Sequence, residues 1–440
     1  MKHILILGAG RSSTSLIDYL SANCEKEGWT LTIGEKDAES TLKRFPQLDI
    51  VGFEIEDTIQ ATVLIAKADL VISMLPAIFH YGVAKICAEH GISLLTASYL
   101  SPEIKALGST FEKKGACCLM EMGLDPGIDH MSAMKVLDRI KAEGHQLLSF
   151  ETFTGGLLAE NKEDDNPWQY KFTWNPRNVV LAGSGSVKFL QEGRFKYIPY
   201  HRLFRRTEVI HIPGHGYFEG YANRDSLNYM DVYKLRGIKT LYRGTLRRPG
   251  FCKGWDIFVQ IGATDDSYKM ENVSEMTHRQ FINSFLSYNP DDSVELKIAH
   301  YMNLNMESEE MYKLKHLGMF DDELVGLDNG TPAQILEHIL KKKWTLLPTD
   351  KDMIIMWHKF VYNDGGERKE IQSSMVAIGD DMNHTAMSKT VGLPLGIIAK
   401  LILKGKVKLS GVLIPTIPEI YNPVLDELNE MGFQFDERQI

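Results

Sequence analysis

Short apolar runs alternate with stretches of helical periodicity through the first 122 residues. The runs His3–Leu7, Thr30–Ile33, Asp49–Phe53, Leu70–Leu75, Ile92–Thr96 and Ala116–Met120 predict six strands. Between them apolar residues recur with the period of an amphipathic helix, as at Phe79–His90 and Pro102–Lys114. These two stretches stop at Gly91 and Gly115, residues that accept the left-handed conformation closing a helix. Apolar strands joined by such helices predict an α/β fold with a doubly wound parallel sheet of the Rossmann type.

After His130 the pattern changes. A helix is expected from Asp129, as its N-cap, to Glu143, with Gly144 ending it. Strands are expected at Leu147–Phe153, Thr207–Ile212, Trp255–Gly262 and Met353–Tyr362, predicting a second α/β domain built on a mixed sheet. A charged, helical stretch over about 272–343 reads as an insertion between the last two of these strands. Beyond Thr385 an apolar helix over Gly396–Leu403 is expected to return to the N-terminal domain. The expected organisation is a dinucleotide-binding domain over 1–128, completed by about 385–440, and a substrate-binding catalytic domain over 129–384.

Composition narrows the class. A chain of 440 residues exceeds one ordinary core, and 44% apolar with 24% charged residues is the balance of a globular protein. No uninterrupted run of about eighteen apolar residues occurs, so no membrane span is expected. The N-terminus enters a strand at once, leaving no room for a signal peptide, and the five cysteines lack metal spacing. Free thiols in a reducing cytoplasm are the expectation. A net charge of −9 gives no global attraction to nucleic acid, so an anionic substrate needs a local cluster of Arg and Lys.

Gly8-Ala9-Gly10-Arg11-Ser12-Ser13 follows the first strand and precedes a helix. The first glycine permits the tight turn, and the second lets a pyrophosphate approach the backbone and the helix N-terminus. Ser13 is small enough for close helix–strand packing. At the end of the second strand Glu35 is placed to accept from the adenosine ribose hydroxyls, whereas Lys36 beside it suits a 2′-phosphate. NAD and NADP both stay open, with Glu35 tilting towards NAD. Ligands collect at the carboxyl ends of parallel strands, which nominates Leu75 and Pro76 after the fourth strand and Ser98 and Tyr99 after the fifth.

The sixth strand leads into Gly123-Leu124-Asp125-Pro126-Gly127-Ile128-Asp129-His130. Asp125-Pro126-Gly127 is turn chemistry, with Pro presetting the second position and Gly accepting positive φ at the third. That turn would hold the Asp125 carboxylate at the mouth of the cofactor cleft, with Leu124, Gly127 and His130 as cofactor contacts. His211 and His215 lack a third partner for a metal, and Arg202, Arg205 and Arg206 read as a solvated basic face.

Together these motifs resemble the saccharopine dehydrogenases of the glutamate-forming type, also called saccharopine reductases. The matching blocks are Thr96 to Pro102, Gly123 to His130, Gly155-Gly156-Leu157, Asn166-Pro167, and Tyr170 to Trp174. Further on come Ala222 to Ser226, Tyr242 to Arg247, Gly392 to Gly396 and Gly411 to Pro415. The resemblance implies NAD(P)-dependent interconversion of saccharopine with L-glutamate and 2-aminoadipate 6-semialdehyde. It implies Asp125 and Tyr99 as catalytic residues, and Arg224 and Arg243 as substrate contacts beside Thr154 and Gly155. Thr154 stands where members of the family carry Cys, so a hydroxyl replaces a thiol that titrates. Lys171 and Thr173 are further candidates, and the aromatic stretch Trp168 to Trp174 is expected to wall the pocket. The competing functions are a carboxynorspermidine-type dehydrogenase of polyamine synthesis and a nucleotide-binding sensor without catalysis. Pairing of the middle sheet across a two-fold axis, giving a homodimer, is open.

Overall fold

The six N-terminal apolar runs form β1 (His3–Leu7), β2 (Thr30–Glu35), β3 (Asp49–Gly52), β4 (Leu70–Ser73), β5 (Ser93–Thr96) and β6 (Cys117–Leu119). The computed structural model describes residues 1–160 and 165–440. Among them the second sheet holds β7 (Gln146–Leu158), β8 (Val187–Gln191), β9 (Arg194–Ile198), β10 (Thr207–Ile212), β11 (Gly216–Ala222), β12 (Thr240–Arg247), β13 (Asp352–Asp364) and β14 (Glu367–Ile378). Two short strands close the chain, β15 (Gly411–Leu413) and β16 (Asp436–Gln439). Contacts divide it into one unit of residues 1–146 with 375–436 and another of 147–374 with 437–440.

The first unit carries a seven-stranded parallel sheet in the order β15–β6–β5–β4–β1–β2–β3. The order reverses direction between β1 and β4, and the loops that follow those strands open the crevice such sheets use for ligands. Leu5, Leu7, Val71, Val83, Leu94, Phe111 and Cys118 form one buried cluster on a face of this sheet. Each such side chain contributes roughly 2 kcal/mol by leaving water. Gly91 and Gly115 end their helices in the left-handed conformation, as expected. The stretch 102–114 differs, forming two helices, Pro102–Lys105 and Gly108–Lys114, interrupted just before a residue of poor helix propensity.

The C-terminal segment adds the seventh strand, with Gly411 opposite Cys117 and Leu413 opposite Leu119. Its helix begins earlier than expected and spans Ala386–Leu403, capped by the Thr385 side chain. It lies so close to the helix Thr14–Glu27 that a Cβ on Gly392 would stand 2.9 Å from the Leu16 nitrogen. This helix is long and apolar enough to cross a bilayer, with a mean hydropathy of 1.5, but 67% of it is buried inside the protein. It is a core helix.

In the second sheet the order β10–β11–β12–β7–β13–β14–β16 mixes directions, since β12 runs parallel to β7 and antiparallel to β11. The expected strand Trp255–Gly262 is instead part of a helix, Phe251–Ile261, with Gly250 before it and Gly262 after it in the left-handed region. Its polar residues Lys253, Asp256 and Gln260 recur at spacings of three and four, the period of a helix, although nine of its eleven residues are buried. The helical stretch between β12 and β13 therefore starts at Phe251 and includes the helices Val294–Met302, Glu309–His316 and Pro332–Trp344.

The helix after the Asp-Pro-Gly turn spans Ile128–Ala142, and its N-cap is Gly127, not Asp129. Asp129 sits in the first turn and accepts the Gly127 N–H at 2.6 Å. All five cysteines are free and buried, and burial pushes the Cys24 and Cys117 thiols up to about 11.

Candidate functional site

The glycine loop leaves β1 with Gly8 at φ +96° and its N–H bonded to the Gly34 carbonyl at 2.8 Å. Ser13 is buried, and its hydroxyl donates to the Gly10 carbonyl at 2.7 Å, folding Arg11–Ser13 into one tight turn ahead of the helix Thr14–Glu27. Gly10 is exposed, and a Cβ there would meet nothing within 4 Å. The open approach over that backbone, beside half-buried Ser12 and exposed Arg11, fits the pyrophosphate of a dinucleotide. Glu35 ends β2 beside the loop, its Oε2 accepting the Ala9 N–H at 2.6 Å and its Oε1 the Lys36 N–H at 2.8 Å. Lys36 itself turns to Glu54, 3.1 Å away. Leu75 is half-buried and Pro76 exposed after β4.

The ends of β5 and β6 lie side by side. The Met122 N–H donates to the Thr96 carbonyl and the Glu121 N–H to the Ser98 carbonyl, both at 3.0 Å. This pairing brings Tyr99 to Asp125, whose Oδ1 accepts the tyrosine hydroxyl at 3.4 Å. Both residues are half-buried. The Asp125–Pro126 peptide is cis, so the turn differs from the one expected of a trans Pro in its second position. Gly127 has φ +147°, and a Cβ on it would fall 2.0 Å from the Gly123 carbonyl oxygen. Only glycine lets the loop fold back this tightly. Leu124 is buried within it.

Two buried histidines support these loops. His130 is fully buried with Nε2 2.8 Å from Glu121 Oε2, while Nδ1 lies 3.7 Å from Asp129 Oδ2. Its ring packs in the interior and joins Glu121, just after β6, to the first turn of the helix Ile128–Ala142. Glu121 has φ +61°, and its second oxygen accepts the Leu100 N–H at 3.0 Å. His80 bridges β4 and β5, with Nδ1 2.9 Å from Ser73 Oγ and Nε2 2.6 Å from Ser98 Oγ. Burial pushes its pKa down to about 4, so the imidazole is neutral near pH 7 and orients Ser98 without charge. Sequence reasoning missed Glu121 and His80, the first a lone acid after an apolar strand and the second a lone histidine at the start of an amphipathic helix.

In the second unit β12 pairs with β7 so that Arg243 stands opposite Thr152 and Thr245 opposite Thr154. Residues in register share a face, so Arg243 and Thr154 project from the same side of the sheet. The Thr154 hydroxyl is buried, with no hydrogen-bond partner among the described residues. Gly155 follows, where a Cβ would stand 2.6 Å from the Leu246 carbonyl oxygen. Arg243 is 7% exposed and lies over the Tyr229 ring, 4.2 Å from its centroid. The Asn223 N–H donates to the Arg243 carbonyl at 3.0 Å, which sets the exposed Arg224 beside it at φ +51°. Arg243 and Thr154 thus share a face of the sheet, and Arg224 lies in the loop that the Asn223–Arg243 bond ties to β12. Lys171 does not join them, being paired with Asp350 at 2.7 Å in the interior. Trp168, Tyr170 and Phe172 pack on Trp344 as core.

Among the described residues no cluster of three or more His, Cys, Asp or Glu could hold a metal. Arg205 pairs with Asp256 at 2.7 Å, and Arg206 bonds Gln191 at 3.0 Å.

Comparison with known proteins matches residues 4–119 to the saccharopine dehydrogenase NADP binding domain and residues 123–433 to the saccharopine dehydrogenase C-terminal domain. The mitochondrial alpha-aminoadipic semialdehyde synthase of Rattus norvegicus is 32% identical over 99% of the chain, and the chain spans 47% of that protein's length. The saccharopine dehydrogenase [NADP(+), L-glutamate-forming] of Schizosaccharomyces pombe is 30% identical, with 100% of this chain and 99% of that one covered. The apo saccharopine dehydrogenase (L-Glu forming) from Saccharomyces cerevisiae superposes with a TM-score of 0.90 at 28% identity over the full length of both chains. With a Rossmann-type sheet, a mixed second sheet and both domain models matched in sequence, this chain belongs to the saccharopine dehydrogenase family.

Proposed function

We propose that this chain interconverts saccharopine and water with L-glutamate and 2-aminoadipate 6-semialdehyde, using NAD(P)⁺ as the oxidant. The observation that carries this reading is the Tyr99–Asp125 contact at the carboxyl ends of β5 and β6, in a chain of this family. When bound, the nicotinamide accepts a hydride from the carbon that bears the secondary amine. The Asp125 carboxylate takes a proton from the ammonium form of the amine and passes it to solvent, so that hydride loss leaves an iminium carbon. It then takes a proton from the water that adds there and returns it to nitrogen as the carbon–nitrogen bond breaks, releasing glutamate and the semialdehyde, whose hydroxyl proton goes to solvent. The Tyr99 hydroxyl, bonded to Asp125, orients that carboxylate and shares its proton. Saccharopine carries three carboxylates, and the guanidinium forks of Arg224 and Arg243 suit two of them. The Thr154 hydroxyl, on the same face of the sheet as Arg243, has no acceptor among the described residues and can donate to the substrate.

The outer strands β10 and β11 expose Val209 at 76% and Tyr217 at 60%, an apolar surface that supports a homodimer through this sheet. Five reduced, buried cysteines support a reducing compartment such as the cytoplasm.

The deciding assay mixes purified protein with saccharopine and each oxidised dinucleotide, following nicotinamide reduction and glutamate release together. Stoichiometric release of both products is expected. Turnover confined to carboxynorspermidine would move the chain to polyamine synthesis, and dinucleotide binding without turnover of either compound would make it a sensor.

A further inference from the structure

We infer that Glu35 makes this chain selective for the dinucleotide with a free 2′-hydroxyl, NAD, over its 2′-phosphorylated counterpart. The inference deepens the proposed function and rests on the glycine loop holding a nicotinamide dinucleotide. A family model described as NADP-binding matches this domain, so the preference has to be read from the residues of the corner itself.

Glu35 is the last residue of β2, half-buried beside the loop. Two backbone donors fix its carboxylate, the Ala9 N–H at 2.6 Å and the Lys36 N–H at 2.8 Å. The carboxylate is therefore built into the turn and cannot swing away without leaving the Ala9 N–H unsatisfied. A carboxylate offers only acceptors, and its remaining lone pairs suit the two hydroxyls of a ribose. A 2′-phosphate has acceptors alone and close to two negative charges, so it meets the same carboxylate with repulsion and no hydrogen bond.

Neighbouring cations do not reverse that balance. Lys36 points to Glu54 at 3.1 Å, with its side chain 77% exposed. The Arg44 guanidinium donates to the Ala9 carbonyl at 2.6 Å and to Thr14 Oγ1 at 3.0 Å, and lies over the Phe45 ring. It holds the loop from the same side and is already committed. Arg11 follows Gly10, on the stretch of loop that faces a pyrophosphate.

Calorimetric titration of the substrate-free protein with NAD⁺ and NADP⁺ separates the possibilities. NAD⁺ is expected to bind at least about tenfold tighter, as a like-charge contact a few ångström away in partly screened surroundings requires. Glu35→Gln, which keeps the shape and an acceptor for the Ala9 N–H, should narrow the ratio mainly by improving NADP⁺ binding. Should that variant fail to fold, wild-type titration with adenosine 5′-monophosphate and adenosine 2′,5′-bisphosphate reads the same discrimination. Equal or tighter binding of the 2′-phosphorylated ligand overturns the inference and leaves the proposed function standing. A ratio unchanged in folded Glu35→Gln also overturns it. Binding of neither dinucleotide removes the proposed function as well.

Discussion

Glu121 and His130 meet 2.8 Å apart in the interior of the first unit, although Glu121 must adopt a left-handed backbone to reach that position. A non-glycine residue in that region costs roughly 1 kcal/mol, which the contact with His130 and the bond to the Leu100 N–H offset. Each of the two residues is tied to one of the loops that carry Tyr99 and Asp125. The Glu121 carboxylate holds the chain next to Tyr99, and the His130 backbone N–H donates to the Gly127 carbonyl two residues beyond Asp125, which leaves the imidazole to meet Glu121.

That relationship predicts coupling. Glu121→Ala and His130→Ala should each lose about 2–4 kcal/mol in urea unfolding, because each leaves a buried polar partner unsatisfied. The double variant should lose at least about 1 kcal/mol less than the sum. Strict additivity would show that the two side chains act independently.

Asp125→Asn preserves the size of the side chain and removes the proton acceptor. Turnover should fall about 10²–10⁴-fold, the usual span for a general acid–base group, while dinucleotide binding persists. Tyr99→Phe keeps the carboxylate and loses its bonded hydroxyl, so a smaller loss of about tenfold is expected. Wild-type kcat in Asp125→Asn would assign the proton transfer elsewhere.

The parallel sheet was legible because buried strands and their glycine-capped helices use different periods, and each period persists over several residues. Trp255–Gly262 misled for the opposite reason. The aromatic and branched residues Trp255, Ile257, Phe258 and Val259 favour a strand reading, and they outweighed the helical spacing of Lys253, Asp256 and Gln260. At the candidate site, motif and position nominate Asp125 and Tyr99, which stand in contact at 3.4 Å, whereas Glu121 and His80 carry no such signal. Each is a single polar residue whose importance lies in partners distant in sequence: Leu100 and His130 for one, Ser73 and Ser98 for the other. Lys171 misled in the same manner, its partner Asp350 lying 179 residues away.

His80 predicts an acid-labile term. Its folded-state pKa lies near 4, below the ordinary 6.5, so the unfolded chain takes up the proton first as pH falls. The neutral folded form carries no penalty above pH 6.5, and stability declines between 6.5 and 4 by about 3 kcal/mol in all. His80→Gln retains hydrogen bonding to the serines without titrating. Its stability loss between about pH 7 and pH 5 should be roughly 2 kcal/mol smaller than the wild type's. Parallel unfolding curves for both proteins at the two pH values would contradict the assignment.

Lys171 and Asp350 make the last prediction, since the pair separates a structural cation from a substrate-binding one. Asp350 also accepts the Leu347 N–H at 2.6 Å, so its carboxylate ties two segments of the second unit together. Asp350→Ala leaves an ammonium buried without its counter-charge, and a loss of about 3–5 kcal/mol is expected. Replacing both residues with apolar ones of similar size, Lys171→Met with Asp350→Leu, removes both charges and should recover much of that loss. A structural pair leaves the KM for saccharopine of the folded double variant close to that of the wild type. A KM raised tenfold or more would return Lys171 to the substrate site, because the lost charge would then be one that the substrate's carboxylates use.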